Sequence, residues 1–499
     1  MVRETRGEAV ECLVIRSAGS SGSHTYVRAL GQVQIRLAAH IDVGNGNPDL
    51  SRPSYTRRMK SLEAKRCTVM GLGRFGGGLG VTRWLVDQGC IVCVTDQAPP
   101  EALADSLAPL RKDIDQGRVH LKLGGHDPED FIQTDLVIAN PAVPRPWENP
   151  CLHAARDHGV HITTEIRLLV ERLDRDRVIG VTGTNGKSTT TTMIHHILTH
   201  AGLDAKLGGN IGGSLLPLVH TFTEDTWIIL ELSSAMLYWL GDERSDQGWS
   251  PGTSVLTYVA PNHIDWHGTE SHYRQCKDNI TRWQQNGENA LRGDHVSTRA
   301  NPIPMQLPGT HNQANAHLAV MAATRATGVA PEIAAAALAD FPGLPHRLEA
   351  IGDQARFFND SKSTTPEATV LAVEAFSPLR SRVHLIAGGY DKGVSLKSIA
   401  DLSRHIGGLY TIGTTGAALA EQSAGTVVAC GDLENAVDEA FRRMGPEDVL
   451  LLSPGCASWD QFDHFEARGD AFRRLVLAQS GNCGSDRIAP TRSMSDPTP

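Results

Sequence analysis

The chain has 499 residues, 40% of them hydrophobic and 21% charged, with a formal net charge of −9. That composition suits an ordinary globular protein, and at roughly 100–200 residues per domain the length suggests three domains. The acidic balance argues against a nucleic-acid surface as the main role. No apolar run approaches the roughly 18–20 residues of a membrane span. The first thirty residues lack the continuous apolar core of a secretory signal, so a cytoplasmic protein is expected. The nine cysteines are scattered, with 67, 90 and 93 in or near apolar strand-like runs. Reduced core thiols are therefore expected in place of disulfides or a zinc site.

Residues 1–64 show no clear periodicity, and eleven Lys/Arg against six Asp/Glu in 1–66 make this end the basic one. It is read as an N-terminal extension. Organisation begins with CTVMGLGRFGGGLGVTRWLVDQGCIVCVTD, residues 67–96. This reads as strand, glycine turn, helix and second strand, closed by an acid. Gly71, Gly73 and Gly76 match G-x-G-x-x-G, and Asp96 stands where a ribose or base partner is expected. Taken alone this fingerprint would suggest NAD, but it shares the chain with a separate phosphate loop. A further strand, DLVIAN at 135–140, fits a small nucleotide-binding domain over 65–174.

The second domain, 175–340, opens on VIGVTGTNGKSTTTTMIHHIL, residues 178–198. An apolar strand leads into a glycine turn and then a Lys-Ser-Thr helix start. Backbone N–H groups and a helix N-terminus then both face an anion. Gly183, Thr184, Asn185 and Gly186 form the turn. Lys187 is placed to reach terminal phosphates, and Ser188 or Thr189 to meet Mg²⁺. This is read as an ATP site. LGGNIGG (207–213) is expected to be a flexible loop centred on Asn210. WIILELSSAML (227–237) is a buried strand ending in Glu231, Ser233 and Ser234, and SVLTYVAPNHIDWHG (254–268) delivers Asn262, His263 and Asp265. Ligands of open parallel sheets bind at the carboxyl ends of strands, so these loops should meet the phosphate loop. Lys277 lies in a helical stretch. Residues 286–304 are polar and Pro-rich, and the Ala-rich helix after Leu307 offers Asn312 and Asn315. Strand and helix signals alternate again through the third domain, 341–480. The remaining residues, 481–499, read as a disordered tail.

Taken together, GTNGKST, GGNIG, LELSS, N-H-x-D, LPHR, NDSK, GG-x-D-K and SPGCASWDQF, in this order over roughly 66–478, identify the chain as resembling the Mur ligases. The resemblance implies an α/β protein of three domains. The first is Rossmann-like and binds UDP, the second is a P-loop ATPase-type parallel sheet, and the third is a Rossmann-like glutamate domain. It implies an ATP-dependent, ADP-forming ligase that adds D-glutamate to UDP-N-acetylmuramoyl-L-alanine through an acyl phosphate. Such an enzyme serves peptidoglycan precursor synthesis, with Mg²⁺, in two ions, as cofactor and a monomeric state. L-glutamate, or another amide ligation of the Mur or folylpolyglutamate type, is the alternative.

By the same resemblance, Lys187, Glu231, His263 and Lys277 are the catalytic set. Ser188, Glu231, His263 and a carbamylated Lys277 would be metal ligands. The phosphate loop from Gly183 to Thr189, with Asn315, Arg347 and Asp360, would bind ATP. Gly71, Gly73, Gly76, Asp96, Asn210, Ser233 and His263 would hold the UDP substrate. Lys362, Thr364, Ser458 and Phe465 would hold glutamate, with Lys392 nearby. The sequence departs from the family pattern after NDSK, where Ser363-Thr364-Thr365 keeps the key Thr, and in the R-F-G-G-G glycine loop.

Overall fold

The computed structural model describes residues 62–73, 76–241, 248–295, 302–352 and 356–481. The expected extension to residue 64 and the tail from 481 therefore lie almost wholly outside the described residues, as do positions 74 and 75 of the glycine loop.

Three α/β sheets follow one another along the chain. The first holds β1 (Arg66–Met70), β2 (Ile91–Asp96), β3 (Val119–Leu123), β4 (Leu136–Ala139) and β5 (His161–Thr163), in the parallel order β3-β2-β1-β4-β5. The second holds β6 (Val178–Thr182), β7 (Ala205–Gly209), β8 (Trp227–Glu231), β9 (Thr253–Leu256) and β10 (Asn289–Arg292), ordered β10-β9-β6-β8-β7 and again parallel. In the third are β11 (Glu349–Ile351), β12 (Phe357–Asn359), β13 (Val383–Gly388), β14 (Gly408–Ile412), β15 (Val427–Gly431) and β16 (Val449–Leu452). Their order is β11-β12-β16-β13-β14-β15, with only β11 antiparallel.

Every residue of β6, β8, β13, β14 and β16 is buried. Strands covered by helices on both faces need apolar side chains at consecutive positions, which is why these segments read as continuous apolar runs. In each of the first two sheets the chain order reverses about a central strand, β1 and β6. The glycine loop follows β1 and the phosphate loop follows β6, at the crevices where such sheets take ligands.

The first two domains share one apolar cluster. Leu85, Val94 and Leu169 of the first are packed in the same cluster as Ile228, Leu230 and Leu240 of the second. The junction near 174 is therefore a packed seam that carries the two crevices side by side. At the other junction Phe341, expected to open the third domain, is packed in the central core with Ile194, Leu338 and Ala319. Its large apolar ring puts the boundary a few residues later, before β11.

Two further expectations change. LGGNIGG is not a flexible loop throughout: Ala205–Gly209 is strand β7, paired with β8 so that Gly209 faces Glu231. A Cβ on Gly209 would lie 2.3 Å from the Glu231 carbonyl oxygen, so glycine there serves close strand approach. The polar stretch 286–304 also contains β10, an edge strand. The seven described cysteines are free. Cys90 and Cys93 stand in C-x-x-C spacing at the start of β2, but neither joins a metal-ligand cluster among the described residues.

Candidate active site

Register along the central sheet sets the site. Val181 pairs with Glu231 on one side and with Val255 on the other, and Gly209 pairs with Glu231. The phosphate loop, Glu231, Asn210 and the 257–268 segment therefore emerge at one level. Gly183 has φ +150°, and a Cβ there would lie 1.9 Å from Thr257 Oγ1. That hydroxyl donates to Thr182 O at 3.1 Å and to Asn185 O at 2.6 Å, holding the turn tight against β9. Thr184 is committed to the scaffold. Its N–H donates to Tyr258 O, and its hydroxyl meets Ala260 and Tyr273 Oη. Gly186 caps the helix Lys187–His200 in a left-handed conformation, with Asn315 Oδ1 placed where a Cβ would be.

A cavity of about 730 Å³ lies between the glycine loop and the phosphate loop. Among the expected residues, Gly71, Gly73, Thr184, Lys187, Asn210, Ser233, His263 and Lys277 line it. Gly76 and Asp96 do not. The Asp96 carboxylate accepts from Gly73 N at 3.0 Å and Ala98 N at 2.8 Å, so it secures the glycine loop from behind. Ser233 Oγ caps the helix Ser234–Leu240. His263 takes φ +51°, which turns the chain so that this residue faces the cavity. Asn140, Glu165 and Tyr273 also line the cavity. No motif pointed to them, because each owes its place to tertiary packing. Asn140 Nδ2 donates to Gly71 O, and Glu165 accepts from Ser214 Oγ.

Charge gathers at the phosphate loop. Glu231 is 1% exposed. Its Oε1 accepts from Asn210 Nδ2 at 2.8 Å, while Oε2 has no hydrogen-bond partner among the described residues. Four cationic side chains feel its charge: Lys187, Lys277, Arg347 and Lys362. Lys187 Nζ donates to Thr184 O at 2.9 Å. Burial lowers its pKa, with Arg347 pushing the same way and Glu231 opposing. Lys277 is 2% exposed, and its Nζ donates to Gly183 O at 2.6 Å. Burial, followed by the Lys187 charge, pushes its pKa down to about 7.

Arg347 arrives from the third domain and donates to Ser188 Oγ at 3.1 Å. Two residues with positive φ flank it, His346 at +60° and Leu348 at +45°. Hydrogen bonds from His346 N to Glu349 and from Leu348 N to Asp360 hold that strained turn, as strained functional backbone requires. Asp360 is buried, which raises its pKa to about 6. Asn315, 7% exposed, completes the expected group.

Of the four residues expected to hold glutamate, Lys362 and Phe465 pair, and Thr364 and Ser458 lie elsewhere. Lys362 Nζ sits 3.8 Å from the Phe465 ring centroid. Thr364 opens instead on a 190 Å³ pocket with Lys392 and Tyr390, and Ser458 is 3% exposed inside its loop. A residue the motifs did not single out ties these loops together. The buried Arg468 donates to Ser361 O and Oγ and to the carbonyls of Cys456 and Ala457.

A phosphate loop with surplus positive charge suits a polyphosphate. Glu231 Oε2 and the Ser188 hydroxyl are hard oxygen donors that fit Mg²⁺. The Lys277 ammonium, as it stands, does not.

Family models match in the same order as the domains. A Mur ligase MurD-like N-terminal domain covers residues 65–164, the Mur ligase middle domain 181–295, and the Mur ligase glutamate ligase domain 346–456. The chain is 32% identical over 469 residues to the UDP-N-acetylmuramoylalanine–D-glutamate ligase of Acidobacterium capsulatum, covering 84% of this chain and 98% of that one. It is 34% identical over 478 residues to the ligase of the same name from Roseiflexus sp., covering 83% and 99%. The fold is also that of the MurF ligase from Thermotoga maritima, solved in complex with ADP. That match has a TM-score of 0.50 and 14% identity over 84% of this chain and 100% of that one. Among the described residues no helix is long and apolar enough to cross a membrane. On sequence, domain order and fold together, the chain belongs to the Mur ligase family of ATP-dependent amide ligases.

Proposed function

We propose that this ligase adds D-glutamate to UDP-N-acetylmuramoyl-L-alanine at the expense of ATP, in the cytoplasm, as a step of peptidoglycan precursor synthesis. The observation that carries the reading is the buried Glu231 with one unpartnered oxygen, set among four cationic side chains from two domains beside a 730 Å³ cavity.

A carboxylate is a poor electrophile, because its leaving group would be oxide. Transfer of the ATP γ-phosphoryl group to the L-alanyl carboxylate makes an acyl phosphate. The amine of glutamate attacks that carbonyl, and phosphate leaves from the tetrahedral intermediate. Lys187 and Arg347 neutralise the transferred phosphoryl group, and positioning of the two anionic partners supplies much of the remaining acceleration. Glu231, Ser188, His263 and a carbamylated Lys277 would hold two Mg²⁺ ions, which when bound screen the phosphate charge and polarise the phosphoryl oxygens. Gly71, Gly73, Asn140 and Asn210 face the UDP substrate, with Asp96 bracing the glycine loop. Lys362, stacked on Phe465, offers a cation to the acidic amino acid. Approach of the third domain keeps water from the acyl phosphate, and the Arg347–Ser188 contact is where that domain touches the phosphate loop.

The test is phosphate release from ATP with UDP-N-acetylmuramoyl-L-alanine present, adding D- or L-glutamate in parallel. Release with D-glutamate alone, with a product heavier by one glutamyl residue, is the expected result. Release with L-glutamate alone would overturn the stereochemistry and keep the mechanism. Silence with both would overturn the substrate assignment.

A further inference from the structure

Beside the cavity, and outside every role assigned above, two imidazoles and a thiol converge. His267 ends the short helix Ile264–His267, and His272 and Cys276 lie one turn apart on the helix Glu270–Arg282. One ligand atom from each of the three lies within 4.8 Å of the others. His267 Nδ1 is 3.1 Å from His272 Nδ1, and His272 Nε2 is 3.6 Å from Cys276 Sγ. His267 and Cys276 are both 3% exposed.

We propose that His267, His272 and Cys276 form a binding site for a soft divalent cation of the zinc class, distinct from the magnesium positions at the phosphate loop.

Three features go beyond a chance polar cluster. The first is spacing. Ligand atoms around a tetrahedral zinc, with bonds of about 2.0–2.3 Å, stand about 3.3–3.7 Å apart. The 3.1 Å and 3.6 Å contacts use opposite nitrogens of His272, of which one ion takes one, and the three ligand atoms lie within 4.8 Å of one another, so the ion must draw them together by up to about 1 Å through side-chain rotation. The second is orientation. His267 Nε2 lies 2.9 Å from Ser234 Oγ, which fixes the ring and aims Nδ1 at His272. A metal-bound histidine commonly donates its far ring N–H to an oxygen acceptor such as a carboxylate, carbonyl or water, and the Ser234 hydroxyl oxygen stands in that position here. The third is surroundings. The Trp147 ring packs 4.6 Å from the His272 ring and the Trp266 ring 4.4 Å from the His267 ring, so aromatic walls exclude competing water. Burial holds the pKa of both imidazoles below the usual range, that of His267 down to about 4, so both present the neutral form that ligates metal, and it pushes the Cys276 thiol up to about 12, so that ligand forms only as the ion displaces its proton.

An imidazole pair with a thiolate selects zinc-class ions over Mg²⁺, which prefers oxygen. Binding displaces the Cys276 thiol proton to solvent and leaves one coordination position facing the cavity, which His267 lines. An ion there would pin the helix carrying Tyr273 and Lys277 to the 264–267 segment. The inference does not depend on which amino acid the enzyme adds.

Cobalt(II) titrated into the chelator-stripped full chain tests it by absorbance. The expected result is a near-ultraviolet thiolate-to-cobalt charge-transfer band that saturates at one equivalent and is displaced by Zn²⁺. Cys276→Ser abolishes the band. His272→Ala weakens binding at least tenfold, and Ser234→Ala weakens it about 10–100-fold, as loss of a supporting hydrogen bond does. His200→Ala leaves it intact, because that residue belongs to a different cluster, with His196 and Asp340. No band in the wild-type chain, or one that survives in both Cys276→Ser and His272→Ala, would overturn the site.

Discussion

Lys277 offers the sharpest quantitative test of the active-site electrostatics. Its pKa falls from 10.5 to about 7, chiefly through burial and then through Lys187. At pH 8 that leaves about 90% of the amine neutral, against about 0.3% for an ordinary lysine. A neutral amine attacks carbon dioxide and an ammonium does not, so the site should form a carbamate about 300-fold more readily than a surface lysine at that pH. The new anion would face Lys187, and the carbamate nitrogen keeps one N–H for Gly183 O. With ¹³C-bicarbonate at pH 8, NMR should show one carbamate carbonyl resonance. It should fade as pH drops below 7, where the amine protonates. Lys277→Arg, always charged, should remove it. The Glu231 charge raises the Lys277 pKa, so Glu231→Gln should shift the midpoint to lower pH. A midpoint near 10, or a resonance that persists in Lys277→Arg, would refute the reasoning.

The other predictions test the loop and the domain contact. Arg347→Ala removes a charged hydrogen bond to Ser188 and one of the four cations. At about 1.5–3 kcal/mol for such a bond, kcat/KM for ATP should fall about 10–150-fold, read in steady-state kinetics. Gly183→Ala drives a methyl to 1.9 Å from Thr257 Oγ1. Overpacking of this kind costs about 1–3 kcal/mol, so the thermal midpoint should drop and nucleotide binding weaken in calorimetry. Asp360 has its pKa raised from 3.8 to about 6 by burial, so its protonated form is the better fit. That contribution is full below pH 3.8 and is lost as pH rises through 6. At about 1.4 kcal/mol per pKa unit, the 2.2-unit difference comes to about 3 kcal/mol. Asp360→Asn does not titrate. In urea unfolding, wild type should lose up to that amount relative to the variant between pH 4 and 6.

How much of this was legible beforehand follows from how local each feature is. The phosphate loop is a contiguous strand, turn and helix, so GTNGKST places Lys187 and Ser188 without further information. Glu231 and Asn210 were legible because parallel strands deliver their last residues to one edge, and registers β6–β8 and β7–β8 do just that. Asp96 followed the fingerprint in position, and the structure adds that one of its oxygens bonds the glycine loop at Gly73 N and the other the turn after β2 at Ala98 N. Spacing cannot reveal which hydrogen bonds a carboxylate will prefer. Strand β7 was hidden because its glycines carry no β propensity; close contact with Glu231 selects them. Arg468, Glu165 and Asn140 were silent for another reason. Each joins segments far apart in sequence, and a lone polar residue at a helix or strand end carries no pattern.

The arrangement of charge explains why the third domain must take part in the chemistry. Arg347 depresses the affinity of Lys187 for its proton and does the same to Lys362. Bringing the third domain to the phosphate loop therefore gathers like charges from two domains around a single Glu231 carboxylate. The repulsion among these cations is one cost of that approach, offset in part by the Glu231 charge. A polyphosphate placed among the four cations removes the repulsion and is attracted by each of them. Nucleotide binding and domain approach then draw on one free energy, and a ligand with differential affinity for the approached arrangement shifts the population toward it. The strained turn at His346 and Leu348 holds Arg347 in place for that contact at a fixed cost.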